Sequence, residues 1–352
     1  MLPLLIRLPV AVRSLRSRLV TDLSTAVAAG DLDDLIRLVD GLCSAREWDR
    51  VVELIERCRH AMEQRGLQLW PAAEYAEYRL ALDATSEHAG SVVTEEAGRF
   101  ALGPLWEVAA STHPWESLAP HLGPGPARAM AAHERVLRGE DLVEDDTIDS
   151  QVLEIPLRLL EWEPSYVVAT FRSDQADFDA PPAPRLVEVT LPEAGEEIGD
   201  DDSIEALLDI GAVWAQQSNG SRAAVAVRGS ATEAIAALGH DRCLLAEVTV
   251  AEAFSRIAWA GASGGAYGRR RGAPMGRFIA WWLGAALVDL AWPVDPTELE
   301  AAVNGLRWVL WEPTDFTGGW SGCIAVESAT EGLAWALEAV DSHREEDVLA
   351  DA

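Results

Sequence analysis

The chain has 352 residues, 49% hydrophobic and 24% charged, which is enough apolar material for more than one core and excludes a wholly disordered polymer. Fifty-eight acidic against 28 basic residues give a formal net charge of −30, a field that repels phosphate backbones and anionic lipid, so nucleic acid is not an expected partner. Every basic residue is arginine, and the absence of lysine excludes P-loop nucleotide binding, protein-kinase chemistry and a pyridoxal Schiff base in their usual forms.

The opening residues 1–20 carry Arg7, Arg13, Arg16 and Arg18, with no acid before Asp22. Arg7 and Pro9 interrupt the apolar run too early for a signal peptide, so the expected location is cytoplasmic. From about residue 12 to 140, apolar positions recur at helical spacing, as in Leu35, Leu38, Val39 and Leu42, then Val51, Val52, Leu54 and Ile55. Breaks at Gly30-Asp31, Ser44-Ala45 and Arg65-Gly66 predict short connections between antiparallel helices. Residues 31–66 resemble one unit of a helical-repeat array such as tetratricopeptide or HEAT proteins, although no second copy follows. An all-helical, hairpin-like domain is therefore expected over residues 1–145.

The acidic run 139–150 has no apolar periodicity and marks the expected boundary. Beyond it, residues 153–160, 166–171 and 185–191 read as strands of a meander, separated by Glu163-Pro164 and by Pro181, Pro182 and Pro184. Glu196, Glu197 and Asp200, Asp201 and Asp202 then lead into a helix over about 204–217, where clustered carboxylates complement the helix dipole. Consecutive aspartates do not supply the alternating ligands of a calcium loop. Ser230 with Glu233, Thr249 with Glu252 and Ser328 with Glu331 each match the capping box that opens a helix. Strand-like residues 224–227 and 323–326 precede the first and last boxes, and Ile235, Leu238 and Leu333, Leu337 follow, which suggests a repeated strand-helix unit. The back half, 151–345, is thus expected to be a mixed-sheet α/β domain with an acidic tail over 346–352, giving an α+β or mixed α/β chain overall. Its most apolar stretch, 278–288, is too short to span a bilayer.

Cys43, Cys58, Cys243 and Cys323 show no C-x-x-C spacing and the seven histidines are dispersed, so no metal, disulfide framework or cofactor is expected. The stretch 261–277 is unusual, combining six glycines with four arginines. Gly265 and Gly268 can let backbone N–H groups approach an anion, and Arg269, Arg270, Arg271 and Arg277 can form bidentate bonds to its oxygens at the start of a helix. The alternative is that these arginines dock on acidic neighbours such as Asp200, Asp201 and Asp202. Ser263 lies in a G-x-S-x-G pattern followed by Asp315 and His343, the chain order of an α/β-hydrolase triad. That elbow must follow a strand, whereas Phe254, Ile257, Ala258 and Gly261 continue a helical stripe.

Eight of the 14 tryptophans fall between residues 259 and 335. Most are expected in the core, including Trp282, which shares a helix face with Phe278 and Ile279. Trp311 and Trp320 flank the loop 312–319 and, with Asp315, form an expected contact surface.

The segment 259–283, above all the run GGAYGRRRGAPMGRFIAWW, resembles an uncharacterised family of high-GC Gram-positive bacteria. The resemblance implies no activity and no catalytic residue; it implies that the glycine and arginine stretch defines the domain. No histidine stands in a recognisable motif with a nucleophile or carboxylate, so the expected function is a non-enzymatic binding or scaffold protein. Its helical half would present a groove to a protein partner and its α/β half an anion-accepting loop to a small anionic ligand. The alternatives are an enzyme acting on a phosphorylated or nucleotide-like ligand through the glycine and arginine loop and an acidic inhibitor or immunity-type protein that masks a basic partner. Nothing in the sequence fixes the oligomeric state.

Overall fold

The computed structural model describes residues 23–94 and 102–343. The arginine-bearing opening segment and the tail 346–352 lie outside the described residues. The chain begins with helices α1 (Leu23–Ala29), α2 (Leu32–Ala45), α3 (Trp48–Arg65) and α4 (Trp70–Asp83). Asp31 caps α2 by accepting from the Asp34 N–H at 3.0 Å, while Arg46 and Gly66, both left-handed, end α2 and α3. The apolar stripes then meet: Leu35, Val39 and Leu42 pack with Leu54, Cys58 and Leu80 in one core.

Helices α5 (Ser86–Ser91), α6 (Leu105–Thr112), α7 (Trp115–Leu118) and α8 (Pro126–Leu137) enclose a second core around Trp106, Val108, Met130 and Val136. Ile148, Ala169 and Phe171 belong to that same core, so the chain beyond α8 lies back across the helices it has just left.

The segment after α8 is largely irregular, with a small hairpin of β1 (Thr170–Phe171) and β2 (Ala176–Asp177). The strand expected over 153–160 is absent, and of 166–171 only the last two residues are extended into β1. The physical reason is a competing demand on the backbone. The carbonyls of Pro156 and Arg158 accept from the buried guanidinium of Arg277, each at 2.8 Å, in place of a neighbouring strand.

One eight-stranded sheet organises the rest, in the order β3 (Val187–Thr190), β6 (Arg242–Val248), β7 (Arg307–Pro313), β9 (Ile324–Ser328), β10 (Leu333–Asp341), β5 (Ser221–Arg228), β4 (Glu196–Glu197), with β8 (Trp320–Ser321) also on β10. The protein is α+β, helices first and then helices and strands around this sheet, in which every pairing is antiparallel. Alternation sorts its side chains: Trp308, Leu310, Ile324, Trp335 and Leu337 face one side, and Val309, Trp311, Cys323, Ala325 and Ala336 the other. The first face is covered by α9 (Asp201–Ile210), α12 (Val250–Ala262), α13 (Ala273–Leu287) and α14 (Pro296–Asn304), with α10 (Ala212–Gln217) following α9. The second face is covered at one end by α11 (Ala231–Ala237).

Two capping boxes open helices as expected, Ser230 with Glu233 for α11 and Thr249 with Glu252 for α12. The third does not. Gly332, with φ at +67°, donates to the Ser328 carbonyl at 2.9 Å and closes a four-residue β9–β10 loop, and Leu333 and Leu337 lie in β10 rather than on a helix. The repeated strand-helix unit is thereby corrected to one such unit and a hairpin. No described helix is long and apolar enough to cross a membrane.

Candidate functional site

The glycine and arginine stretch forms the link between α12 and α13, and its arginines go to different places. Arg277 is wholly buried: Nε and Nη2 donate to Glu163 Oε2 and Oε1 at 2.8 and 2.7 Å. Glu163 also accepts from the Tyr166 hydroxyl and from Trp281 Nε1, both at 2.9 Å, so the pair is the hub of a closed network. Arg270 lies 3.9 Å over the Phe178 ring and pairs at 2.6 Å with Glu107, itself inaccessible to solvent. Glu107 Oε1 also accepts from the Ala273 N–H, a carboxylate at the N-terminus of α13. Arg271 forks onto Asp209 at 3.3 and 3.4 Å. Arg269 alone of the four forms no ion pair among the described residues.

Three of the four arginines expected to bind an anion, Arg270, Arg271 and Arg277, are thus ion-paired with acids of the chain. Docking on acids is what they do, although the acids are Glu107, Asp209 and Glu163 rather than Asp200, Asp201 and Asp202. The expected ligand glycines also have structural reasons. A Cβ on Gly265 would lie 2.0 Å from Asp341 Oδ2, the oxygen that accepts from Ala266 N–H, and one on Gly268 would lie 2.4 Å from the Gly264 carbonyl. Ser263 follows helix α12 rather than a strand, is buried, and its Oγ accepts from the Gly265 N–H, so the hydrolase elbow is not formed.

Near Glu107, on α8, Glu134 is fully buried and bonds Arg138 at 2.8 Å. Burial, reinforced by the charge of Glu107, pushes its carboxyl up to about 8.

Of the expected contact surface, Trp311 is 1% exposed, because strand alternation turns it onto the second sheet face. It stands edge-on to His240 with ring centres 5.2 Å apart. Asp315 lines a hollow of about 300 Å³ with His240 and Glu338, whose Nε2 and Oε2 are 2.7 Å apart. Trp320 is half-buried against His343, so the three residues do not form one surface. The His240–Glu338 pair could not be read from sequence, its members being 98 residues apart.

The larger cleft, about 710 Å³, lies on the other side of the sheet between α9 and the C-terminal half of α13. One wall is aromatic. Phe278 and Trp282, one turn apart on α13, stack at 17° with ring centres 6.4 Å apart, and Trp292 stands edge-on to both at 5.4 Å. Trp282 is 39% exposed, which corrects its expected place in the core; it does share a face with Phe278, but that face is the cleft wall, while Ile279 and Trp281 are the buried neighbours. Helix α13 is apolar nearly all round, so its sequence does not distinguish the core side from the open one.

Acidic residues line the same cleft. Asp201, Asp202, Glu205 and Asp209 come from α9, and Asp289 follows α13. Asp209 holds Arg271; the other four form no ion pair among the described residues. Arg222 also lines the cleft, donating to the Leu208 carbonyl near the end of α9, where the helix dipole favours a cation. No group of three or more His, Cys, Asp or Glu among the described residues is placed to hold a metal ion.

Fold and cleft together define an α+β protein with an acidic, tryptophan-walled recess on an antiparallel sheet. The chain belongs to a family of unknown function, DUF6183, whose model matches residues 33–343, a far longer span than the 25 residues that carry the resemblance in the sequence. No curated protein and no solved structure matches it.

Proposed function

We propose that the protein is a non-enzymatic binding protein whose cleft between α9 and α13 receives a positively charged group. The observation that carries this reading is Trp282, 39% exposed, in one cleft with Asp201, Asp202, Glu205 and Asp289, which form no ion pair among the described residues. A cation over an exposed indole gains about 0.5–1 kcal/mol, and the carboxylates lining the recess add attraction that salt only partly screens. A hollow of about 390 Å³ in the helical half, between α3 and α5, is lined by Asp49, Glu53, Glu56, Glu87 and His88, so a basic partner meets the same sign of charge on both halves. At the glycine and arginine loop Arg270, Arg271 and Arg277 are each ion-paired with an acid, and Arg269 forms no ion pair among the described residues.

The test is a thermal-shift comparison of spermine and agmatine with phosphate and ATP, using the wild type and Trp282→Ala. A cation present at about a hundred times its dissociation constant adds roughly 2.7 kcal/mol to stability. Stabilisation by the cations, weakened in Trp282→Ala, supports the reading; stabilisation by phosphate or ATP and none by cations contradicts it.

A further inference from the structure

We infer, resting on the cation-accepting reading above, that the natural occupant of the cleft is an extended protein segment carrying arginines at alternate positions. The chain fills part of the site itself. Asp201, Glu205 and Asp209 stand at successive four-residue steps of α9, so they form one row with carboxylates about 6 Å apart along the axis. The last of the row already holds a guanidinium: Arg271 Nη1 and Nη2 reach the two Asp209 oxygens at 3.3 and 3.4 Å, and Nη1 also reaches the Asp209 carbonyl. Glu205 and Asp201, one and two turns further, hold none among the described residues. Same-side residues of an extended chain are about 6.6–6.8 Å apart, so alternate arginines of a partner continue the row that Arg271 begins.

Arginine suits the cleft better than lysine or an aliphatic polyamine. A planar, weakly hydrated guanidinium stacks on an aromatic face while its edge still bonds a carboxylate; an ammonium does this less well. The same stacking occurs inside the protein, with Arg270 over Phe178, Arg256 over Trp259 and Arg128 over Trp115. Trp282, 39% exposed, lines the same cleft as the row. A recess of about 710 Å³ accommodates several side chains of a passing segment.

The experiment measures binding of two labelled peptides, RGRGRG and KGKGKG, and of spermine as competitor, to the full chain and to Trp282→Ala, Glu205→Gln and Asp201→Asn. The arginine peptide is expected to bind about two- to five-fold tighter than the lysine peptide, the margin closing in Trp282→Ala, since an exposed cation–π contact corresponds to that factor. Both carboxylate variants should weaken it and reduce its salt dependence. Because these changed positions are at the cleft surface, a circular dichroism spectrum matching the wild type establishes that each variant is folded. Equal affinity for both peptides, or a wild-type affinity in Glu205→Gln, overturns the segment proposal while leaving a cation-accepting cleft in place. Failure of peptides and spermine alike overturns both.

Discussion

Replacing Arg277 by methionine tests whether this arginine belongs to the scaffold or to a ligand site. Methionine keeps the aliphatic stem, so the loss is electrostatic rather than a cavity. Four hydrogen bonds disappear, two to Glu163 and one each to the carbonyls of Pro156 and Arg158, at 2.7 to 2.8 Å. The Glu163 carboxylate stays behind with only neutral donors, Tyr166 Oη, Trp281 Nε1 and Leu160 N. Removing one partner of a buried pair costs about 3–5 kcal/mol, mostly the penalty on the charge left uncompensated. Adding Glu163→Gln removes that charge while keeping an acceptor for Trp281 and Tyr166, so the double variant is expected to be more stable than Arg277→Met alone. Urea unfolding followed by tryptophan fluorescence gives the four free energies of the cycle. An Arg277→Met variant within about 1 kcal/mol of the wild type would refute the burial argument and return this guanidinium to the list of ligand groups.

Three further outcomes follow from individual contacts. Glu134 is raised above the usual carboxyl range when folded, so it takes up a proton on folding; its contribution is full at acid pH and lost as pH rises from about 4.5 towards 8. Glu134→Gln, which imitates the protonated form, should therefore gain stability relative to the wild type between pH 5.5 and pH 8.5 in urea titrations, and a constant difference would contradict the assignment. Ser230→Ala should cost about 1 kcal/mol because it removes the α11 cap. Ser328→Ala, in the nearly identical sequence that forms a hairpin loop, should cost less than half of that, and equal urea midpoints for the two would count against the difference in local structure.

Local features were legible in the sequence. The spacing of Leu35, Val39 and Leu42 marked α2, Gly66 marked the end of α3, and the Ser230 and Thr249 boxes marked α11 and α12. These signals lie within one or two turns of the residues they govern. Ser328 shows the limit of such logic: Gly332 and the pairing of Leu333 with Ser328 across the hairpin decide the conformation, and the box is overridden. The fate of the arginine stretch was not legible, because its acids stand 163, 114 and 62 residues away, at Glu107, Glu163 and Asp209. The cleft was hidden for the same reason. Asp201 and Asp202 read as dipole partners of their own helix and Trp282 as core, and only the packing of α9 beside α13 sets them facing one recess.

Entry of a cation beside Trp282 is read from the indole N–H signals of the ¹⁵N-labelled protein, assigned by Trp→Phe substitution, during titration with the arginine peptide. Progressive shifts are expected at Trp282 and Trp292, with Trp311 and Trp320 unmoved. Shifts confined to Trp311 or Trp320, or a response to inorganic phosphate and none to the peptide, would contradict such entry.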